Sequence, residues 1–261
     1  MVFAYYAARV RSDLFFISHG APSIAIEADD FTRAVREYGT TLDGTRAIVV
    51  VSAHWQSREL RVNAVDRPQP IYDFGGFAPE LYTIRYDAPG SPSLAEEVAS
   101  LTGATLETKR GWDHGLWVPF RHLRPQADIP IVELSLPMEG DLFAIGRALA
   151  PLRDRGIAIA GSGGIVHNLR MIHLEDKFAP VDGWAREFDA YVADALERRD
   201  FDAIASYRSR APHASLAVPT PEHFEPLLVI LGAASERDRV ETIYAGFHYG
   251  NLSMRTVALR E

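Results

Sequence analysis

Nine histidines occur in this 261-residue chain, and five of them share a context that suggests common chemistry. Three hydrophobic runs lead into a histidine: Asp13-Leu-Phe-Phe-Ile-Ser-His19-Gly20, Ala47-Ile-Val-Val-Val-Ser-Ala-His54-Trp55 and Ile157-Ala-Ile-Ala-Gly-Ser-Gly-Gly-Ile-Val-His167-Asn168. Near-continuous apolar runs read as strands of a sheet covered on both faces. Ligands of such sheets collect at the carboxyl ends of the strands. His114 lies in Trp112-Asp-His-Gly115, a glycine-flanked loop with a carboxylate beside the imidazole. His223, in Thr220-Pro-Glu-His223, sits near a helix start, where backbone N–H groups and the helix dipole disfavour imidazolium and keep a lone pair free.

Neutral imidazole is a general-purpose ligand for Zn and Fe. The five candidates are 35, 60, 53 and 56 residues apart, so only the fold can assemble them into one site. The residues by themselves admit two readings: a mononuclear histidine-rich metal site, or core histidines satisfied by backbone carbonyls. His122 has basic neighbours, His173 and His213 lie in polar connecting segments, and His248 sits beside a candidate hairpin turn; none of these shares the context of the five.

The elements that must position these residues alternate between strand and helix. Strands are expected from Leu14, over Ala47–Ser52, Leu60–Val65 and Ile129–Leu136, and from Ile157. Helices are expected over Asp29–Tyr38 closed by Gly39, from Ser93 as cap to Gly103, over Asp141–Arg155 with a break at Pro151, around Trp184–Leu196, and over Thr220–Gly232. Tyr244–Phe247 and Ser253–Leu259 could close the sheet as an antiparallel pair. The order predicts an α/β fold: one domain over 1–261 with a central mixed, mainly parallel sheet flanked by helices. Arg67–Pro92 is rich in proline and aromatics and reads as a lid or wall over the site, or as a surface loop with its own packing. Residues 1–12 read as a loose leader rather than a signal peptide.

Composition narrows the function. A formal charge of −8 argues against a nucleic-acid partner. The absence of cysteine removes disulfides, thiolate zinc sites, iron–sulfur clusters and cysteine nucleophiles, so a transition metal must use His and carboxylate ligands. No apolar stretch approaches the roughly 20 residues that span a bilayer, and a cytoplasmic location follows by default. Oligomeric state is open, a homo-oligomer included.

Seven stretches, in order along the chain, resemble the DOPA 4,5-dioxygenase family, within the class III extradiol ring-cleavage group that includes LigB-type enzymes. They are Ser18-His-Gly-Ala-Pro22, Val49-Val-Val-Ser-Ala-His-Trp55, Tyr72-Asp-Phe-Gly-Gly-Phe77, Tyr86-Asp-Ala-Pro-Gly-Ser-Pro92, Trp112-Asp-His-Gly-Leu-Trp117, Val166-His-Asn-Leu-Arg170 and Pro219-Thr-Pro-Glu-His223. The resemblance implies His19, His54 and His223 as metal ligands and His167 at the metal as acid/base or additional ligand. It also implies His114 lining the substrate pocket, with a catechol and O₂ as substrates. It implies Fe(II) in dioxygenase members, whereas some relatives carry Zn(II). One departure stands out: LigB-type enzymes place a carboxylate in the iron sphere where this chain has His223. Trp55, Phe74, Phe77, Trp112 and Trp117 are candidate walls for a flat ring, and Arg170 is a candidate partner for a substrate carboxylate. Two alternatives remain: a Zn-dependent hydrolase using the same histidines, and a non-enzymatic binding protein on this fold.

Overall fold

The computed structural model describes residues 11–261. Ten of the twelve leader residues therefore lie outside the described residues. The remaining two are tied down: Ser12 N–H donates to the Arg153 carbonyl, and the Arg11 guanidinium donates to the Ala150 carbonyl.

Ten strands occur among the described residues: β1 (Leu14–Ser18), β2 (Ala47–Ser57), β3 (Arg61–Asn63), β4 (Thr105–Glu107), β5 (Ile131–Pro137), β6 (Ile157–Gly163), β7 (Arg239–Tyr244), β8 (Phe247–His248), β9 (Leu252–Ser253) and β10 (Thr256–Arg260). Eight form one sheet in the order β4-β3-β5-β2-β6-β1-β10-β7. Its centre, β5-β2-β6-β1, is parallel throughout; the β3/β5, β1/β10 and β10/β7 pairings are antiparallel. The α/β fold with a mixed, mainly parallel sheet is as the sequence predicts.

Helices cover both faces. Along β1, Leu14 and Phe16 enter one core while Phe15 and Ile17 enter the other; along β2, Val49 and Val51 divide from Ile48 and Val50 in the same way. That division explains the unbroken apolar runs, because each strand has no solvent face. α1 (Asp30–Thr40) and α3 (His114–Leu123) pack on one side. α2 (Pro92–Thr102), α4 (Leu142–Leu149), α5 (Gly183–Glu197), the short α6 (Phe201–Ala205), α7 (Tyr207–Arg210) and α8 (Ala214–Ala217), and α9 (Glu225–Gly232) pack on the other.

Several boundaries move for physical reasons. β2 runs on to Ser57, and its register against β5 shifts between Val51 and Gln56, so His54 lies in an irregularity of the strand rather than beyond its tip. Such a bulge re-aims a side chain. β6 stops at Gly163, four residues before His167. Gly39 lies within α1 rather than closing it, and its lack of a side chain admits the Leu123 carbonyl; a Cβ there would sit 1.7 Å from that oxygen. The cap of α2 is Ser91, two residues earlier than expected, since Pro92 suits the first turn. Pro151 does split its helix: α4 ends at Leu149 and a 3₁₀ segment follows over Ala150–Arg155. α9 starts at Glu225, so His223 sits in a turn just before it. The closing antiparallel pair is β7 with β10, and residues 247–253 instead form the small β8/β9 hairpin.

Candidate metal centre

The five histidines singled out in the sequence converge at the carboxyl end of the parallel strands. His19 follows β1 directly and its N–H donates to the Gly163 carbonyl at 3.1 Å. The chain then turns sharply at Gly20, whose φ of +60° and crowding by Ile24 and Met254 leave no space for a side chain. His54 sits in the β2 irregularity, where its N–H reaches Ser52 Oγ at 3.2 Å. His114 opens α3 and is buried; Asp113, expected in a loop, caps that helix through Leu116 N–H. His223 and His167 stack with ring centroids 3.5 Å apart and planes 7° from parallel. The rings of His19 and His54 are 4.7 Å apart, those of His54 and His114 are 3.9 Å apart, and His223 is 5.1 Å from His19 and 5.0 Å from His54.

Hydrogen bonds fix which nitrogen of each ring carries the proton. Ser162 has one hydroxyl hydrogen and spends it on the Gly115 carbonyl, so its oxygen must accept from His19 Nδ1–H at 3.1 Å. His114 Nδ1 lies 2.9 Å from an Asp73 carboxylate oxygen, and His223 Nδ1 lies 3.1 Å from Glu222 Oε1. In each contact Nδ1 is the donor, and the neutral rings of His19 and His223 therefore present a lone pair on Nε2. The Nε2 of His223 is buried and has no hydrogen-bond partner. The Nε2 atoms of His19 and His54 are 3.1 Å apart, close to the roughly 3 Å between neighbouring ligands that each sit about 2.1 Å from one ion. One ligand atom each from His19, His54 and His114 all lie within 4.8 Å of one another.

Electrostatics keep four of these rings, His19, His54, His167 and His223, neutral. Burial, reinforced by the other imidazoles, holds His19 and His167 well below the ordinary histidine value and pushes His54 down to about 3. Burial also lowers His223, against the pull of Glu222. Burial works against ionisation of Glu222, but hydrogen bonds from His223 and Thr220 bring it down to about 2. Asp73 is lowered in the same way by the hydrogen bond from His114. Clustered imidazoles backed by carboxylates and a hydroxyl suit a metal ion, with the supporting partners of its ligands in place.

The other candidates divide. Phe74 stands 5.6 Å from the His114 ring and packs on Phe77, Tyr82 and Trp117. Trp112 and Trp117 have no exposed surface; their indole N–H groups donate to the Ala88 and Ile71 carbonyls, so they back the wall rather than face a ligand. Trp55 is also buried, with the Arg110 guanidinium over its ring at 4.7 Å. Arg170 is exposed. The proline-rich segment is tied to the body through Ile71 N–H to the Trp112 carbonyl and Trp112 N–H to the Gln69 carbonyl, and its Asp73 and Phe74 meet His114. It is a wall of the site. His122 is a core histidine whose Nε2–H donates to the Ile24 carbonyl, while His173 and His213 pair with Asp182 and Glu187. Asp73 and Ser162 are not distinguished in the sequence, since their contacts span 41 and 143 residues; a helix from Thr220 would point Glu222 elsewhere, and the turn before α9 instead brings it onto His223.

A parallel-centred α/β sheet with clustered, carboxylate-backed histidines at its strand ends defines a metal-dependent enzyme. Residues 15–258 match the catalytic LigB subunit of aromatic ring-opening dioxygenase, and the chain belongs to that family. It is 39% identical to 4,5-DOPA dioxygenase extradiol of Beta vulgaris, over 92% of this chain and 94% of that one. It is 38% identical to 4,5-DOPA dioxygenase extradiol of Escherichia coli strain K12, over 95% of each. The crystal structure of an uncharacterized protein from Escherichia coli K12 superposes with a TM-score of 0.80 at 35% identity, covering 95% of this chain and 99% of that one.

Proposed function

We propose that this extradiol dioxygenase opens the ring of a DOPA-like or related catecholic acid with O₂, using Fe(II) held by His19, His54 and His223. The observation that carries the metal reading is the 3.1 Å approach of the His19 and His54 Nε2 atoms, with the His223 ring 5.1 and 5.0 Å from those two rings and its buried Nε2 otherwise unpartnered. When bound, Fe(II) supplies open positions for both catechol oxygens and O₂ and lowers the catechol hydroxyl pKa. His167, neutral and stacked on His223, takes the hydroxyl proton; His114 is the second candidate for that role. Phe74 offers the ring its flat contact, and Trp55, Trp112 and Trp117 hold the wall behind it. Arg170 pairs with the substrate carboxylate.

The grouping of His19, His54 and His114 within 4.8 Å favours a second assignment of the ligands, in which His114 replaces His223 and the reaction is unchanged. A Zn(II)-dependent hydrolase on the same histidines is the competing reaction. The family match and the relatives' names favour ring cleavage, and the complete set of five histidines disfavours a non-enzymatic binding protein. We read 1–261 as one catalytic domain working in the cytoplasm, since no helix among the described residues is long and apolar enough to cross a membrane and no cysteine asks for an oxidising compartment.

The test is anaerobic purification with metal analysis, then loading with Fe(II) or Zn(II) and assay on a catechol panel with an oxygen electrode beside an ester and amide panel. Oxygen uptake with Fe(II) and a catechol supports the proposal. Hydrolysis with Zn(II) and no uptake with any catechol overturns it.

A further inference from the structure

Asp73 belongs to the proline-rich wall, yet its carboxylate meets two of the five histidines. Oδ1 accepts the His114 backbone N–H at 3.0 Å and faces His114 Nδ1 at 2.9 Å. Oδ2 is 4.0 Å from His54 Nδ1. The side chain is 27% exposed, so it is not held there by burial in the core. Its neighbours reach the same place: Tyr72 packs on Trp117, and Phe74 packs against the His114 ring. One carboxylate thus fastens the wall to the first residue of α3 and, through the same oxygen, to that residue's ring.

We propose that Asp73 is a positioning residue for His114: it locks the ring as the Nδ1–H tautomer, leaves Nε2 free toward the other histidines, and makes the seating of the proline-rich wall a condition for that orientation. A carboxylate behind a histidine fixes both tautomer and direction, and loss of such a partner typically costs about 10–100-fold in metal affinity or activity. The consequence for turnover rests on the ring-cleavage reading above; the tautomer does not.

Two measurements test this. Long-range ¹⁵N NMR of histidine-labelled protein, as purified with Zn(II) added, reads the tautomer without any turnover. His114 is expected as Nδ1–H in the wild type and in Asp73→Asn, which keeps an acceptor oxygen, and as a mixture of tautomers in Asp73→Ala. Steady-state kinetics of the Fe(II)-loaded protein then ask whether Asp73 acts through His114. Asp73→Ala is expected to lower kcat about 10–100-fold with metal content retained and with partial rescue in Asp73→Asn. In a His114→Ala background the same change is expected to have almost no further effect, because residues acting as a unit are not additive. An Nε2–H tautomer in the wild type, or a tautomer untouched by Asp73→Ala, overturns the proposal. So does a full multiplicative loss in the His114→Ala background, which would make Asp73 a general tether of the wall. A wild-type protein with the expected tautomer and no activity on catechols overturns the ring-cleavage reading while supporting the Asp73–His114 assignment.

Discussion

Gly163 lets the position of His223 be perturbed without changing any functional group. A Cβ at Gly163 would lie 2.0 Å from the His223 carbonyl oxygen, 3.0 Å from its carbonyl carbon and 3.3 Å from Phe16 Cε2. Real Cβ atoms essentially never approach closer than 3.0 Å, so in Gly163→Ala the chain at His223 must withdraw by about 1 Å in a close-packed setting. β6 is hydrogen-bonded into the middle of the sheet and pairs Gly163 with Ser18, so the turn carrying His223 is the part that yields. The hydrogen bond from Gly164 N–H to the His223 carbonyl, now 2.8 Å, stretches with it. Overpacking of this kind costs about 1–3 kcal/mol of stability, which a domain of this size survives. A displacement of about 1 Å at a reacting centre costs on the order of 10²-fold in rate, and the withdrawn ligand should weaken metal binding by a factor of about 10–100. Competition titration of Zn(II) against a chelator measures the affinity, and thermal melting followed by circular dichroism confirms the fold. Gly183→Ala, with no atom within 4 Å of the added Cβ, serves as control. A folded Gly163→Ala protein with wild-type metal affinity would refute the reasoning, removing His223 from the ligands and leaving His114 as the third.

Ser162→Ala removes the acceptor of His19 Nδ1–H and is expected to weaken metal binding about 10-fold or more with the fold retained; an unchanged chelator titration would contradict the tautomer argument. Phe74→Ala is expected to raise KM for a catechol several-fold with kcat nearly unchanged, as removal of uniform ring binding requires; a change confined to kcat would place Phe74 elsewhere in the reaction. Arg153, which precedes β6, and Asp238 form a fully buried ion pair. Burial opposes ionisation of Asp238, but the Arg153 hydrogen bonds and charge hold it below the usual carboxylate value. The pair's contribution is therefore present above the unfolded aspartate value near 3.9 and is lost as pH falls through the lower folded value. Arg153→Met should destabilise the protein by about 3–5 kcal/mol at pH 7 and remove that acid dependence from urea-unfolding curves. Equal acid sensitivity in both proteins would assign it to another carboxylate.

The strands were legible because burial on both faces leaves an unbroken apolar run, and the histidines were legible because three such runs end near one. Residues at the carboxyl ends of parallel neighbours must meet, whatever their separation in sequence. The supporting partners were hidden for the converse reason. Ser162 reaches His19 across 143 residues and Asp73 reaches His114 across 41, and nothing local marks a serine in a strand or an aspartate in a loop for such a contact. Glu222 was visible beside His223, but a helix starting at Thr220 would have pointed it away; the turn that precedes α9 brings it onto Nδ1. The tryptophans show the limit of residue type as a guide. Trp112 and Trp117 carry the ring expected of a catechol wall, and packing drew both fully into the core, leaving Phe74 to stand beside His114.

Ring cleavage at this site inserts both atoms of O₂ into the catechol. The most direct measurement is a stoichiometric one: Fe(II)-loaded protein with DOPA in a closed oxygen cell, with the product analysed by mass spectrometry. One O₂ consumed for each DOPA, and a ring-opened product heavier by two oxygen atoms, is the predicted result. Oxygen consumed to give only a quinone, with no mass gain, would contradict it.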